Sequence, residues 1–251
     1  MSRWFKDLPL PLALAALSIL TASCGSSSNP AQVRFVNAIQ DTAQYGTALD
    51  INVAGTKDFT DIPFPGFQPS SGYTKIPSGG VAIQGLRTGT TAGVFVADIS
   101  LNASTQYTLV ATGFAISNGV VIISATDNNV AAPGGDEEFR VINASPSGPT
   151  AVDIYIIPIG SGNTLTPPAT IPNLAYRSTS SYAKLPYNSN VVNGANYTMF
   201  VTATGKTSPI LLTQTLSAGS SSAGAIRTLV LTDQENVNQL NQRAIVLNDL
   251  N

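Results

Sequence analysis

At 251 residues, with 43% hydrophobic and 10% charged side chains, the chain has enough apolar content for a packed core and too little charge for disorder. Twelve Lys and Arg face 14 Asp and Glu, and no basic cluster of the kind that displaces counterions from nucleic acid is present, so a nucleic-acid partner is not expected. The absence of histidine and the single cysteine exclude Ser-His-Asp and Cys-His catalysis, and zinc held by His or paired Cys. No cofactor or metal is expected. Carboxylate chemistry, Ser-Lys pairs and hard cations are what the composition allows.

In chain order, residues 1–23 read as a signal peptide. Arg3 and Lys6 make a basic start, and Leu8 to Leu20 is an uncharged apolar run. That run is short of the roughly 20 residues a permanent span needs. It ends in Leu20-Thr21-Ala22-Ser23-Cys24, which resembles a bacterial lipobox, with Thr21 where leucine is usual. Cleavage before Cys24 and acylation of its thiol, with palmitate among the chains, would explain a lone cysteine in a secreted protein. Each buried methylene contributes about 0.8 kcal/mol, and two chains anchor stably where one is marginal. Gly25 follows where an aspartate would favour the inner membrane, so a Gram-negative cell is expected to carry this lipoprotein on its outer membrane. Without Arg3, Lys6 and Asp7, ten basic and 13 acidic residues are left of the 12 and 14. Residues 24–31 form a lipid-anchored linker in which Gly25 to Ala31 spans at most about 25 Å, which keeps the strand-rich region near the bilayer.

From residue 32 the sequence predicts short strands rich in Val, Ile, Thr and aromatics, separated by Gly, Pro, Asn and Ser. Residues 32–128 hold Val33 to Ala38, Ala48 to Val53, Val81 to Gln84, Gly93 to Leu101, Gln106 to Thr112 and Val120 to Ala125. A Pro/Gly linker, 129–136, comes next. Residues 137–251 hold Phe139 to Ala144, Ala151 to Pro158, Ser181 to Leu185, Asn196 to Ala203, Ile210 to Leu216, Ile226 to Thr232 and Arg243 to Leu250. Alternation is clearest at Val152-Asp153-Ile154-Tyr155-Ile156, where Val152, Ile154 and Ile156 share a face.

Four matches recur in the same order, which indicates a tandem duplication. VRFVNA (33–38) pairs with FRVINA (139–144), and LDI (49–51) with VDI (152–154). IPFPGFQPSSGYTKIP (62–77) lies against IPNLAYRSTSSYAKLP (171–186) without a gap, and TLV (108–110) against TLV (228–230). The expected architecture is all-β: two tandem immunoglobulin-like antiparallel β-sandwich domains, each using its inner faces as its own core and each able to fold alone.

The stretch RVINASPSGPTAVDIYI (140–156) resembles the hallmark segment of the bacterial domain-of-unknown-function 4397 family. The first copy keeps Arg34, Asn37, Ala38 and Asp50 but has Ile39 and Gln40 where Ser145 and Pro146 stand. The resemblance covers nearly all of the mature chain. It implies a secreted or surface, often lipid-anchored, immunoglobulin-like sandwich, and it implies no activity.

Arg34, Asn37, Asp50, Arg140, Asn143 and Asp153 recur in both copies. A lone buried aspartate or arginine is costly. Asp50 and Asp153 are therefore expected either to accept hydrogen bonds from the turn before their strand or to pair with Arg34 and Arg140 respectively; a duplicated ligand or metal group is the functional reading. Tyr73 with Lys75, and Tyr182 with Lys184, form Tyr-x-Lys pairs on one strand face, where the lysine stem could pack along the ring. They are the candidate sugar-binding surface, against an ordinary sheet face. Glu137 and Glu138 read as solvated charge beside the linker, and Asp58 with Asp61 is a cluster calcium could use, without EF-hand spacing. The functional expectation is a lipid-anchored cell-envelope protein without catalytic activity, binding or scaffolding an envelope polysaccharide or protein. The alternative is a carboxylate-dependent hydrolase of surface polysaccharide.

Overall fold

The computed structural model describes residues 29–41, 48–159, 164–185, 195–217, 223–233 and 242–250. Cys24, the signal peptide and most of the anchoring linker lie outside them. The first half contributes nine strands: β1 (Ala31–Ile39), β2 (Leu49–Val53), β3 (Thr56–Ile62), β4 (Gly66–Gln68), β5 (Thr74–Ile76), β6 (Gly79–Arg87), β7 (Gly93–Leu101), β8 (Gln106–Gly113) and β9 (Val121–Thr126). The second contributes β10 (Glu137–Asn143), β11 (Ala151–Pro158), β12 (Ile171–Ala175), β13 (Ala183–Leu185), β14 (Ala195–Ala203), β15 (Ile210–Ser217), β16 (Ile226–Asp233) and β17 (Gln242–Asn248). Among the described residues no helix is long and apolar enough to cross a membrane.

These strands make four sheets. One runs β4-β1-β8-β9, with β5 also on β1, and a second runs β3-β2-β6-β7. The other two, β13-β10-β16-β17 and β12-β11-β14-β15, repeat those orders in the second half. The protein is thus all-β and built as a sandwich. Pairing is antiparallel apart from β1 with β8 and β10 with β16, which run parallel; the sequence reading did not anticipate these pairs.

β3, β4 and β12 were not expected as strands, and β5 was expected only as the strand face that carries Tyr73 and Lys75. β3 reads TKDFTDI, with only Phe59 and Ile62 buried. It is an edge strand, and edges carry charge that hides the period-2 signal.

Within each half, side chains from the facing sheets make the core. Phe35, Leu49, Ile51, Phe59, Ile83 and Leu109 are buried in the first. Phe139, Val152, Ile154, Met199, Val201 and Leu229 are buried in the second. Each such side chain contributes about 1.5–3 kcal/mol relative to exposure. Asn37 and Asn143 tie the layers together. Asn37 Nδ2 donates to Ile62 O on the opposite sheet at 3.1 Å, and Asn143 Nδ2 donates to Leu174 O at 3.1 Å.

A further core corrects the expectation that each copy relies on its inner faces alone. Val36, Ala38, Val110, Ile123 and Ala125 from the β1 sheet pack with Ile142, Ala144, Val230 and Leu247 from the β10 sheet. These two sheets are therefore covered on both faces, which is why β1 and β10 are buried nearly from end to end and why adjacent apolar residues, Phe35 with Val36 and Val141 with Ile142, serve different cores.

Candidate functional site

Among the described residues, a buried ionic network lies where the two halves meet, and an open cleft lies on the second half.

The network is built on Arg34 of β1 and Arg140 of β10, and each arginine reaches into the other half. Arg34 Nη1 donates to Asn248 O at 2.6 Å and Nη2 to Asp249 Oδ1 at 2.6 Å. Arg140 Nη1 donates to Thr126 O at 2.5 Å, and its Nη2 donates to Asp127 Oδ1. Arg34 Nη2 also lies 3.5 Å from Asp127 Oδ2. Threonines complete the ring. Thr108 Oγ1 accepts from Arg34 and donates to Asp127, both at 2.8 Å. Thr228 Oγ1 accepts from Arg140 at 2.9 Å and donates to Asp249 at 2.7 Å. Tyr73 Oη donates to Asp127 Oδ2 at 2.8 Å and Tyr182 Oη to Asp249 Oδ2 at 2.7 Å. The guanidinium carbons stand 5.2 Å and 4.9 Å from the centres of those same rings, within cation–π range.

Burial of these four charges has consequences for their protons. Desolvation, with the neighbouring Asp127 carboxylate, pushes the Asp249 carboxyl above the ordinary aspartate range, against Arg34 and Thr228, which pull it down. Desolvation and the nearby carboxylates raise the hydroxyls of Tyr73 and Tyr182 well above the usual phenol value, so both stay neutral donors.

Several expectations change here. Arg34 and Arg140 do not pair with Asp50 and Asp153, because β2 and β11 belong to the other layer of each sandwich. Asp127 and Asp249, just after β9 and β17, are the partners; the sequence reading missed them, although each follows a strand at the same place in its half. Tyr73 and Tyr182 are engaged inward, and the cation over each ring is an arginine, while Lys75 and Lys184 are exposed. Glu137 is also not a solvated charge. It is 2% exposed and its Oε1 lies 3.2 Å from Arg227 Nε. Glu138 is half-buried.

Asp50 and Asp153 do hold backbone amides, from the adjacent edge strands β3 and β12 and from the turns after β6 and β14, and not from the turn before their own strand. Asp50 accepts from Lys57 Nζ at 2.7 Å, the Asp61 amide at 3.0 Å, Thr88 Oγ1 at 3.0 Å and the Gly89 amide at 3.4 Å. Burial raises its carboxyl, but these donors together outweigh it and hold the pKa at about 2. Asp153 accepts from the Asn173 amide at 2.7 Å and the Gly205 amide at 2.8 Å. Gly89 and Gly205 both have φ of 72°, a left-handed conformation that aims the amide at the carboxylate. Asp58 and Asp61 sit on β3, and among the described residues no group of three His, Cys, Asp or Glu gathers as a metal site.

The cleft has a volume of about 450 Å³ and lies between the edge strands β12 and β13. Ile171, Leu174 and Ala183 form apolar wall, while Asn173 and Ser181 contribute an amide and a hydroxyl. Its lining contains no residue charged at neutral pH.

Fold and polar network together define a β-sandwich protein whose recurrent arginines and aspartates are buried and hydrogen-bonded within the protein. Residues 31–155 match the model of the family described as "Domain of unknown function (DUF4397)". The chain resembles that family over this stretch, which runs from the start of β1 into β11. No curated protein matches the chain. Among solved structures, the carbohydrate-binding module CBMbc (family CBM26) of Eubacterium rectale Amy13K, in complex with maltoheptaose, is similar at 7% identity. That match covers 86% of this chain and 95% of that one, at a TM-score of 0.23, a level that carries no argument about function.

Proposed function

We propose that this chain is a lipid-anchored cell-envelope protein, tethered through Cys24, that binds or scaffolds an envelope partner and does not catalyse. Its partners on this reading are the membrane, through the lipid, and an envelope polysaccharide or protein. In a Gram-negative cell its place is the outer membrane. The mature chain divides into sandwiches over 32–128 and 137–251, joined by 129–136.

The observation that carries the non-catalytic reading is the engagement of the recurrent ionisable residues. Arg34, Arg140, Asp127 and Asp249 bind one another, and Asp50 and Asp153 bind backbone amides. A glycosidase needs two carboxyls facing substrate roughly 5 to 9.5 Å apart, and the cleft lining includes none.

The test uses the full-length protein and its Cys24→Ala variant in a bacterial host. The unaltered chain should incorporate labelled palmitate and sediment with membranes, whereas the variant should do neither. A variant that still sediments would refute the tether. Incubation with purified envelope polysaccharide should release no reducing ends; turnover abolished by one Asp or Glu substitution would replace this reading with the hydrolase.

A further inference from the structure

The cleft on the second half has a closed counterpart on the first, and the difference says what it is open to. Backbone geometry sets the equivalence. Leu49 pairs with Ile62 and Ile51 with Phe59; Val152 pairs with Leu174 and Ile154 with Ile171. Thr60 therefore occupies the place of Pro172. Val36 faces Phe67 as Ile142 faces Thr179, so Gln68 occupies the place of Ser180. The gapless alignment of 62–77 with 171–186 is thereby corrected. Only its end, at Tyr73 and Tyr182, superposes, and the second half is shorter by three residues between Ser180 and Tyr182.

In the first half Gln68 laces the two sheet edges together. Its Nε2 donates to Thr60 O at 2.5 Å, and its Oε1 accepts from the Thr60 amide at 3.2 Å. In the second half Ser180 is too short to span the gap, and Pro172 has no N–H to offer. Ser180 Oγ turns instead to its own side, accepting from the Val141 amide at 2.9 Å and donating to Ser181 O at 2.8 Å. The space the glutamine fills in one half is an open cleft in the other.

We infer that this cleft is a binding site for a neutral, hydroxyl-rich ligand, namely a segment of uncharged oligosaccharide. The inference rests on the binding-module reading above and assigns its site and ligand class. The volume, about 450 Å³, falls in the range of small-ligand pockets, about 300–1,000 Å³. A lining without charge neither attracts nor neutralises an anionic polymer. The group that fills the counterpart is an uncharged carboxamide that donates to a strand carbonyl, so a ligand hydroxyl donating to Pro172 O would meet the same acceptor. Asn173 and Ser181, both exposed, offer amide and hydroxyl partners at the mouth, and Pro172 and Ala183 offer an apolar strip for the C–H face of a sugar ring.

The test is a titration of the full-length detergent-solubilised protein, with short neutral glucans of several linkages as probes and polygalacturonate as the anionic control. Ser180→Gln rebuilds the closure of the first half, and Ser181→Phe blocks the mouth from an exposed position without touching the core. At least one neutral glucan should bind, and each variant should weaken it about tenfold or more, with melting of Ser181→Phe unchanged. Neutral-glucan binding that both variants leave intact would overturn the site. Binding of the anionic control alone, or of no glycan at all, would overturn the ligand class. The tether is read separately by palmitate labelling of the same preparation, so its failure is distinguishable from failure of the cleft.

Discussion

Asp50 illustrates how a single carboxylate organises a sandwich edge. It gathers Lys57 and the Asp61 amide from β3, and Thr88 with the Gly89 amide from the turn after β6. Its folded pKa, about 2, lies below the ordinary 3.8. A depressed acid stabilises above its unfolded value, and that contribution is lost as pH falls through the folded one. Asp50→Asn should therefore be about 2 kcal/mol less stable than the natural protein at neutral pH, and the gap should close between about pH 4 and about pH 2. Chemical denaturation across that window checks it; a gap that does not narrow in acid would contradict the assignment. The importance of Asp50 and Asp153 was legible because the residue recurs among apolar neighbours. Their donors were not, because Asp61, Gly89, Asn173 and Gly205 come near only when an edge strand and a separate turn are brought to the same carboxylate.

At the scale of elements, β6 and β7 show how pairing specifies register. Gly85 faces Phe95 across the ladder, and a Cβ on Gly85 would come within 2.2 Å of the Phe95 ring. The ring lies over the glycine and covers backbone that has no side chain of its own. Gly85→Ala forces that ring to move and should cost about 1–3 kcal/mol by overpacking, read as a lower denaturation midpoint; an alanine tolerated without loss would place the ring elsewhere. The boundaries of β7 and β11 were legible in the sequence, since both are runs of β-branched and aromatic residues between turn residues. β3 and β12 were not, because an edge strand needs few apolar positions.

For the whole molecule, the reciprocal arginines matter most. Arg34 binds the end of the chain and Arg140 the end of the first half, so each half completes the charge balance of the other. Breaking a buried pair from one side leaves an uncompensated charge and costs about 3–5 kcal/mol. Arg34→Met and Arg140→Met should each lose about that much at neutral pH. The Asp249 carboxyl is already raised, so the native state takes up its proton more readily than the unfolded chain does; the cost of its charge is relieved as pH falls through that raised value. The Arg34→Met penalty should accordingly shrink in mild acid, by equilibrium denaturation. A penalty that grows there would mean Asp249 is not the group left unpaired.

The sequence by itself determined the all-β class and the resemblance to the domain-of-unknown-function 4397 family, because strand periodicity, turn residues and the Arg-x-x-Asn and Val-Asp patterns are local. Tertiary structure alone decided that the halves share a third core, that the arginines cross between them, and that Gln68 closes a groove which Ser180 leaves open. Those outcomes depend on which faces meet. Contacts between residues as distant along the chain as Arg34 and Asp249 are set by the packing of whole sheets, which no local pattern encodes.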